Sequence, residues 1–449
     1  ALSCPTRNQL LLPAAGPDGH EPPCHPPKGT TMDRPLDRLL TRLIRTGTLT
    51  FSGPGGTTRT YGDGTGTPVH VAIRTRRAAL AIALDPMLAA PEAYMDGDLE
   101  VVQGDLLDFL KVVFLNMGDE SAPSLAARTI DRLRMLGRRL HQYNPAGRAT
   151  RNIQHHYDLS ADFYRLFLDE DMQYSCAYFA SPDAGLDEAQ LAKKRHIAAK
   201  LAMRPGLRVL DIGSGWGGMG LYLARGFDAS VTGVTLSRDQ HEVSRARAEA
   251  EGLAARASFE LRDYRSLSQR YDRIVSVGMF EHVGVSHYRQ FFETCARLLD
   301  DDGVMLLHSI GRSGVPGATN PFIRKYIFPG GYMPALSEVL PVIERTGLVV
   351  TDVEILRLHY AETLKHWRQR FHARWKEAAE RFDERFCRMW DFYLAGSEAA
   401  FRWQDLMVFQ IQIAKTNHAL PVTRDYMARE EATLIDAASA FRQAGSGDD

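Results

Sequence analysis

Apolar positions along the chain change period from one region to the next. In "LDRLLTRLIRTGTLTF" they recur at helical spacing before the run turns strand-like, "TPVHVAIRT" alternates as a half-buried strand does, and "GDLLDFLKVVFLNMG" returns to helical spacing. Residues 32–127 thus predict a small α+β domain. From about Leu207, strands and helices take turns: "LRVLDIG", the helix "GGMGLYLAR", "ASVTGVT", the helix "SRDQHEVSRARAEAEG" ending at Gly252, "ASFEL", "YDRIVSV", the helix "SHYRQFFETCARLLD" and "GVMLLHSIG". That order predicts βαβ units and a parallel, doubly wound Rossmann-like sheet. After Gly311 the alternation lapses into "RSGVPGATNPFIRKYIFPGGYMPALSEV", and a helical stretch from Ala361 to about Leu394 follows, so a loop and helical lid is expected over about 311–400. Its Trp367, Phe371, Trp375, Phe382, Phe386 and Trp390 fall on one broad face, which is usually core. Beside an insertion that roofs the ligand edge of the sheet, an apolar channel for a long chain is the second reading.

The flanks differ. Residues 1–31 are rich in Pro and Gly, lack periodicity and precede Met32, and read as a disordered leader. Residues 128–150 read as a basic helix and linker, with seven arginines between 128 and 151 and a break at Asn144-Pro145; they form a solvated connection or a basic face for anionic lipid. With 449 residues the chain can bury more than one core. A formal net charge of -1 and no nucleic-acid-binding signature argue against nucleic acid as a partner. Cysteines 4, 24, 176, 295 and 387 have no metal-ligand spacing, so neither a metal site nor a disulfide framework is expected, and a reducing cytosol fits. The most apolar stretch, "AALAIALDPMLAA", is too short to cross a bilayer.

Chemistry enters with "VLDIGSGWGG", which sets Gly213, Ser214, Gly215 and Gly217 between a strand and a helix, where a ligand can lie against the backbone near the helix's positive end. A dinucleotide site wants a carboxylate about 20 residues on. Here "GVTLSRDQ" closes the strand at Thr235 without an acid, which disfavours NAD. Asp211 is placed to reach an amino-acid moiety and Gln240 to reach ribose oxygens. Asp263 and Tyr264 in "LRDYRS" supply an acceptor and a ring for adenine. This spacing looks like that of S-adenosylmethionine-dependent methyltransferases. "YDRIVSVGMFEHVG" then leaves Glu281 and His282 at the exit of a buried strand, where open α/β sheets keep their ligands.

Together "NIQHHYDLSADFYRLFLDEDMQYSCAYF", "DIGSGWGG", "GVTLSRDQ", "SVGMFEHVG", "LLHSIG" and "YIFPGGYMPALSEV" resemble cyclopropane-fatty-acyl-phospholipid synthases and the related mycolic acid cyclopropane synthases, from residue 151 to 449. The 32–150 region resembles, more loosely, the extra amino-terminal domain of the phospholipid-acting enzymes. The resemblance implies an α/β methyltransferase domain that takes S-adenosylmethionine as methyl donor and acts on cis-unsaturated acyl chains of phospholipid. It also implies a bicarbonate ion as base, held by the backbone amides of Cys176 and Ile310 and by the side chains of Glu281, His308 and Tyr360. The donor would be held by Tyr174, Ser175, Gly213, Gly215, Thr235, Gln240 and Gly278, with Asp211 beneath it and Asp263 and Tyr264 at the adenine edge. Phe280, Tyr326 and Tyr332 are candidates to steady a carbocation, and His282 is given a structural role. A cytoplasmic enzyme docked on the inner face of the membrane, and a homodimer, are also implied. Two alternatives stay open: an enzyme that stops at a methylene- or methyl-branched chain, and an inactive lipid-binding protein.

Overall fold

The computed structural model describes residues 34–117 and 159–445. The expected leader and the basic linker lie outside the described residues. The first body runs α1 (Arg34–Leu43), β1 (Leu49–Ser52), β2 (Thr58–Tyr61), β3 (Val69–Ile73), α2 (Arg76–Leu84), α3 (Pro86–Met95), β4 (Leu99–Gln103) and α4 (Leu106–Leu115). Its four strands lie in the order β2-β1-β3-β4, with β1 and β3 parallel and the other pairs antiparallel. The alternation in "TPVHVAIRT" buries Val69, Val71 and Ile73 on one face. Asp105 starts α4 by accepting from the Asp108 amide at 2.7 Å, and Asp108 answers at 3.2 Å.

The second body runs α5 (Ala161–Tyr164), α6 (Leu186–Lys200), β5 (Arg208–Ile212), α7 (Gly218–Phe227), β6 (Ser230–Thr235), α8 (Arg238–Ala250), β7 (Ala257–Leu261), β8 (Tyr271–Val277), α9 (Tyr288–Leu298), β9 (Leu299–Arg312), α10 (Leu336–Glu344), β10 (Val349–Leu356), α11 (His359–Ala373), α12 (Trp375–Arg381), α13 (Glu384–Trp403), β11 (Leu406–Ala414) and α14 (Asp425–Gly445). The sheet order is β10-β11-β9-β8-β5-β6-β7. Strands β5 to β9 pair in parallel, as the alternating pattern predicts.

The wholly parallel expectation needs correction, because β11 runs antiparallel between β9 and β10. The physical reason lies in α11 to α13. This helical block leaves β10 and delivers Leu406 opposite Arg312 at the carboxyl end of β9, so the next strand must run back. Strand β11 is buried almost throughout, so its apolar run gives no sign of direction.

The expected lid also divides. Helix α10 and strand β10 belong to the sheet layer, leaving a loop region with a short π-helix (Ile323–Ile327) and, separately, the α11–α13 block. The single helix expected over 361–394 is broken, with Asp383 capping α13 through the Phe386 amide at 2.7 Å. Its aromatic stripe is mainly core: Trp367, Phe371 and Trp390 are buried, and Phe163 meets Trp390, Phe386 and Phe382 edge-on at 4.9, 5.2 and 5.2 Å. One apolar core runs from the first body through these helices, while two others cover the faces of the large sheet. The first body sits on the helical block, where Tyr94 donates to Asp391 at 2.8 Å and Arg385 to Asp96 at 2.7 Å.

Candidate active site

The carboxyl ends of β5, β6 and β8 open on a cavity of about 1210 Å³, counting its mouth. The turn after β5 explains why space exists there. Gly213 holds φ +82°, and a Cβ on it would stand 2.7 Å from the Met279 Cβ. Gly215 is also left-handed, at φ +54°, yet nothing lies within 4 Å of where its Cβ would be, so its backbone faces open space. Helix α7 begins just beyond, presenting the positive end of its dipole to the cavity.

Ten residues singled out from the sequence line this one cavity: Tyr174, Ser175, Asp211, Gly213, Gly215, Thr235, Gln240, Asp263, Tyr264 and Gly278. Asp211 is 2% exposed and its Oδ2 has no partner, nor has the Ser214 hydroxyl. Burial pushes the Asp211 carboxyl up to about 7, against the pull of Lys193. Lys193, fully buried on α6, donates to Gln173 Oε1 at 2.6 Å and Ser175 Oγ at 2.8 Å, and burial pushes it down to about 8. Thr235 donates to Gln240 Oε1 at 2.9 Å, which fixes the amide end of Gln240. Asp263 departs from expectation. Arg265 grips it at 2.9 and 2.6 Å and holds it low against the rise that burial alone would cause, so this acceptor is already paired.

Sequence reasoning missed Trp216, Arg265, Met279 and His287 in the cavity wall, and gave His282 only a structural role although it too lines the cavity. Trp216, Arg265, Met279 and His282 stand inside the quoted motifs, so the signal was there without a rule to use it. Burial takes His282 down to about 4, leaving a neutral ring at the wall.

The residues expected to hold an anion lie behind that wall. None of Cys176, Glu281, His308, Ile310 and Tyr360 lines the cavity, but Cys176 follows Ser175, and Glu281 sits between Met279 and His282. Glu281 Oε1 accepts from the Ile310 amide at 2.6 Å, its Oε2 is buried and makes no hydrogen bond, and burial pushes the carboxyl up to about 7 against the Ile310 amide, its own amide and Ser309. The Ile310 N–H, expected to face the anion directly, is therefore engaged by Glu281. His308 joins this group through its carbonyl, which accepts from Gly278 at 3.0 Å. Burial, reinforced by Lys193 and Lys200, drives its imidazole well below the usual value. Cys176 keeps a buried, neutral thiol that burial pushes up and that donates to the Ala177 carbonyl at 3.3 Å. Tyr360 comes from the first turn of α11 and packs on Trp367 and Phe401 at 5.8 and 5.0 Å.

Direct contact thus joins Glu281 and Ile310, and a backbone bond joins His308 to the cavity wall. Cys176 and His308 share the field of Lys193, and Tyr360 meets Tyr174 through Trp367, whose ring is 5.2 Å from that of Tyr174.

The three rings proposed for a cation have other partners. Phe280 stacks on Tyr288 at 4.3 Å in the core, Tyr326 donates to Glu92 at 2.7 Å, and Tyr332 donates to Glu338 at 2.6 Å. Among the described residues, no group of three or more His, Cys, Asp or Glu side chains could hold a metal ion.

Residues 145–411 match the family model described as mycolic acid cyclopropane synthetase. The cyclopropane-fatty-acyl-phospholipid synthase of Escherichia coli (strain K12) is 38% identical over 348 residues, covering 78% of this chain and 88% of that protein. A probable fatty acid methyltransferase of Pseudomonas putida is 39% identical, covering 75% of this chain and 86% of its own. Among solved structures, the cyclopropane synthase MmaA2 from Mycobacterium tuberculosis superposes with a TM-score of 0.58 at 34% identity, covering 61% of this chain and 99% of that one. The mycolic acid cyclopropane synthase CmaA1, complexed with SAH and CTAB, gives 0.57 at 36%, with the same coverage.

Proposed function

This chain belongs to the mycolic acid cyclopropane synthetase family, an S-adenosylmethionine-dependent methyltransferase of that class, and from that premise we propose that it builds cyclopropane rings on cis-unsaturated acyl chains of membrane phospholipid. When bound, S-adenosylmethionine would supply the added carbon by losing its sulfonium methyl to the alkene and leaving as S-adenosylhomocysteine, and bicarbonate would supply the base that takes a proton from that methyl group so the ring closes.

The residues present fit both groups. Asp211 Oδ2 and Ser214 Oγ are buried polar atoms waiting for a partner where a cationic amino-acid moiety would lie, and the open face of Gly215 leaves room for it. Gln240, its oxygen tied to Thr235, keeps its NH₂ for ribose oxygens. Tyr264, set edge-on to Phe291 at 5.6 Å, flanks an adenine, while the Asp263–Arg265 pair offers a rigid polar edge rather than a free carboxylate. Across the wall, Glu281 Oε2 accepts a proton-bearing oxygen of the anion and His308 donates to it. Ile310 acts one step removed, by aiming Glu281. The Cys176 amide and Tyr360 hydroxyl complete the cradle, and Tyr174, with Trp367 and Tyr360 packed behind it, turns an aromatic face to the cavity.

The observation that carries this reading is the buried Glu281 carboxyl, aimed by the Ile310 amide with its own amide and Ser309 beside it, and with Oε2 making no hydrogen bond at the sheet's carboxyl edge. Burial to that degree without a partner is costly, and a bound, hydrogen-bonded anion relieves it.

Peripheral docking on the bilayer is supported by α2, which turns Arg76 and Arg77 outward beside Leu80 and Leu84, 48% and 50% exposed. Among the described residues no helix is long and apolar enough to cross a membrane. Incubation with labelled S-adenosylmethionine and cis-monounsaturated phospholipid vesicles tests the reading. Acyl chains heavier by one CH₂, with high-field cyclopropane protons in NMR, are expected; no label in lipid overturns it. The name of the Pseudomonas putida relative favours a second reading, a branched chain of different NMR signature.

A further inference from the structure

Glutamine 410 lies outside every motif that the sequence singled out, yet it stands directly opposite His308 in the β9–β11 pairing. Opposed residues of an antiparallel pair project from the same face. On that face α6 brings Lys200, whose Nζ is 2.8 Å from Gln410 Oε1. Gln410 Nε2 is 3.1 Å from His308 Nδ1. All three side chains are buried.

Donor and acceptor rules then leave a single arrangement. A lysine ammonium has only protons to give, so the atom facing it must be the amide oxygen. The other end of Gln410 is therefore its NH₂, which only donates. His308 Nδ1 has to carry a lone pair, and the neutral imidazole keeps its proton on Nε2.

Neighbouring groups hold this polarity in place. Glu354 on β10 pairs with Lys200 and accepts from His196 Nε2 at 2.7 Å, and His196 Nδ1 meets Glu431 at 3.1 Å. The groups around His308 are thus Lys193, His196 and Lys200 from α6, which disfavour its protonation, and Glu354 from β10, which opposes them weakly.

We propose that Gln410, oriented by Lys200, is a positioning residue that locks His308 in the Nε2–H tautomer, so that the imidazole presents a proton to a small oxyanion bound beside Glu281. The proposal rests on the reading of His308 as an anion donor. In the opposite tautomer Nε2 would turn a lone pair toward the anion and repel it.

Full-length protein labelled with ¹⁵N-histidine tests this through two-bond proton–nitrogen spectra, His308 being assigned by its absence in His308→Gln. The wild type should show a protonated Nε2 and a bare Nδ1 at pH 7 and 8. Gln410→Glu, which replaces a donor by an acceptor, should invert the pattern to a protonated Nδ1 and lower kcat about a hundredfold, with KM for S-adenosylmethionine within about twofold. Lys200→Met, milder at the site, should release the amide and give a mixture of tautomers with a smaller loss of kcat.

A protonated Nδ1 in the wild type, or an unchanged pattern in both variants, would overturn the lock. The reading beneath it fails separately. If the tautomer is as stated but added bicarbonate neither shifts the His308 signals nor stimulates turnover, the lock stands and the anion reading falls.

Discussion

Two buried carboxylates stand at the exits of neighbouring strands and are treated differently. Asp211, at the end of β5, is in the field of the buried Lys193 and lines an open cavity beside the glycine turn. Glu281, just past β8, is held by the Ile310 amide, with no cation among the groups that lower its pKa, and it lies behind the cavity wall. Burial raises both to about 7. The first arrangement suits a cationic ligand that brings its own positive charge. The second suits a small, proton-bearing anion that needs an acceptor on one side and donors on the other. In the proposed function, a single fold edge thus serves both a positive donor and a basic anion, with Gly213 and Met279 packed closely between their carboxylates.

The comparison breaks most visibly under exchange of charge. Glu281→Gln should lower turnover by about a hundredfold or more while leaving S-adenosylmethionine affinity within about twofold, measured by single-turnover methyl transfer and calorimetry. Asp211→Asn should do the reverse, weakening cofactor binding about ten- to a hundredfold, since a lost charged hydrogen bond is worth about 1.5–3 kcal/mol. Its protonation sharpens the test. A cation beside Asp211 favours the ionised form, so wild-type binding between about pH 6 and 7 should release protons, seen as a buffer-dependent calorimetric heat, and Asp211→Asn should abolish this release.

At the contact between the two regions, Gly213→Ala forces a side chain into left-handed backbone against Met279. It should cost roughly 1–2 kcal/mol in chemical denaturation and weaken cofactor binding more than it alters bicarbonate dependence. The last test reads stability against pH without ligand. A carboxyl raised in the folded state binds more protons there than when unfolded, so its contribution falls as pH rises from about 4 to about 7 and is flat above. Ligand-free Asp211→Asn should therefore gain stability relative to wild type at pH 8 over pH 5, by about 1.4 kcal/mol for each pH unit between 5 and about 7.

The cofactor side was the more legible in the sequence because its pieces are local. A strand, a glycine turn and a helix sit within "VLDIGSGWGG", and all ten residues taken from this and the similar motifs line one cavity. The anion side is assembled across strands. Ile310 meets Glu281 because β9 lies parallel beside β8, and Gln410 meets His308 only because β11, about a hundred residues beyond β9, slots in antiparallel. Nothing in "LMVFQIQIA" announces a strand's partner or direction, since a buried run reads alike either way. The rings could not be placed from the sequence for the same reason. Phe280, Tyr326 and Tyr332 stand in quoted motifs, but which wall a side chain faces depends on packing against Tyr288, Glu92 and Glu338. The break in the long helix was equally hidden, although Asp383 is a good capping residue in hindsight.

The account rests on a small anion held beside Glu281 and His308 acting as the base. Single-turnover ring formation on cis-monounsaturated vesicles, at saturating S-adenosylmethionine in carbonate-depleted buffer with bicarbonate titrated back, reads this directly. The predicted result is a slow rate that bicarbonate restores saturably in wild type, with the half-saturating concentration raised in Glu281→Gln. A rate indifferent to depletion and to added bicarbonate would contradict it.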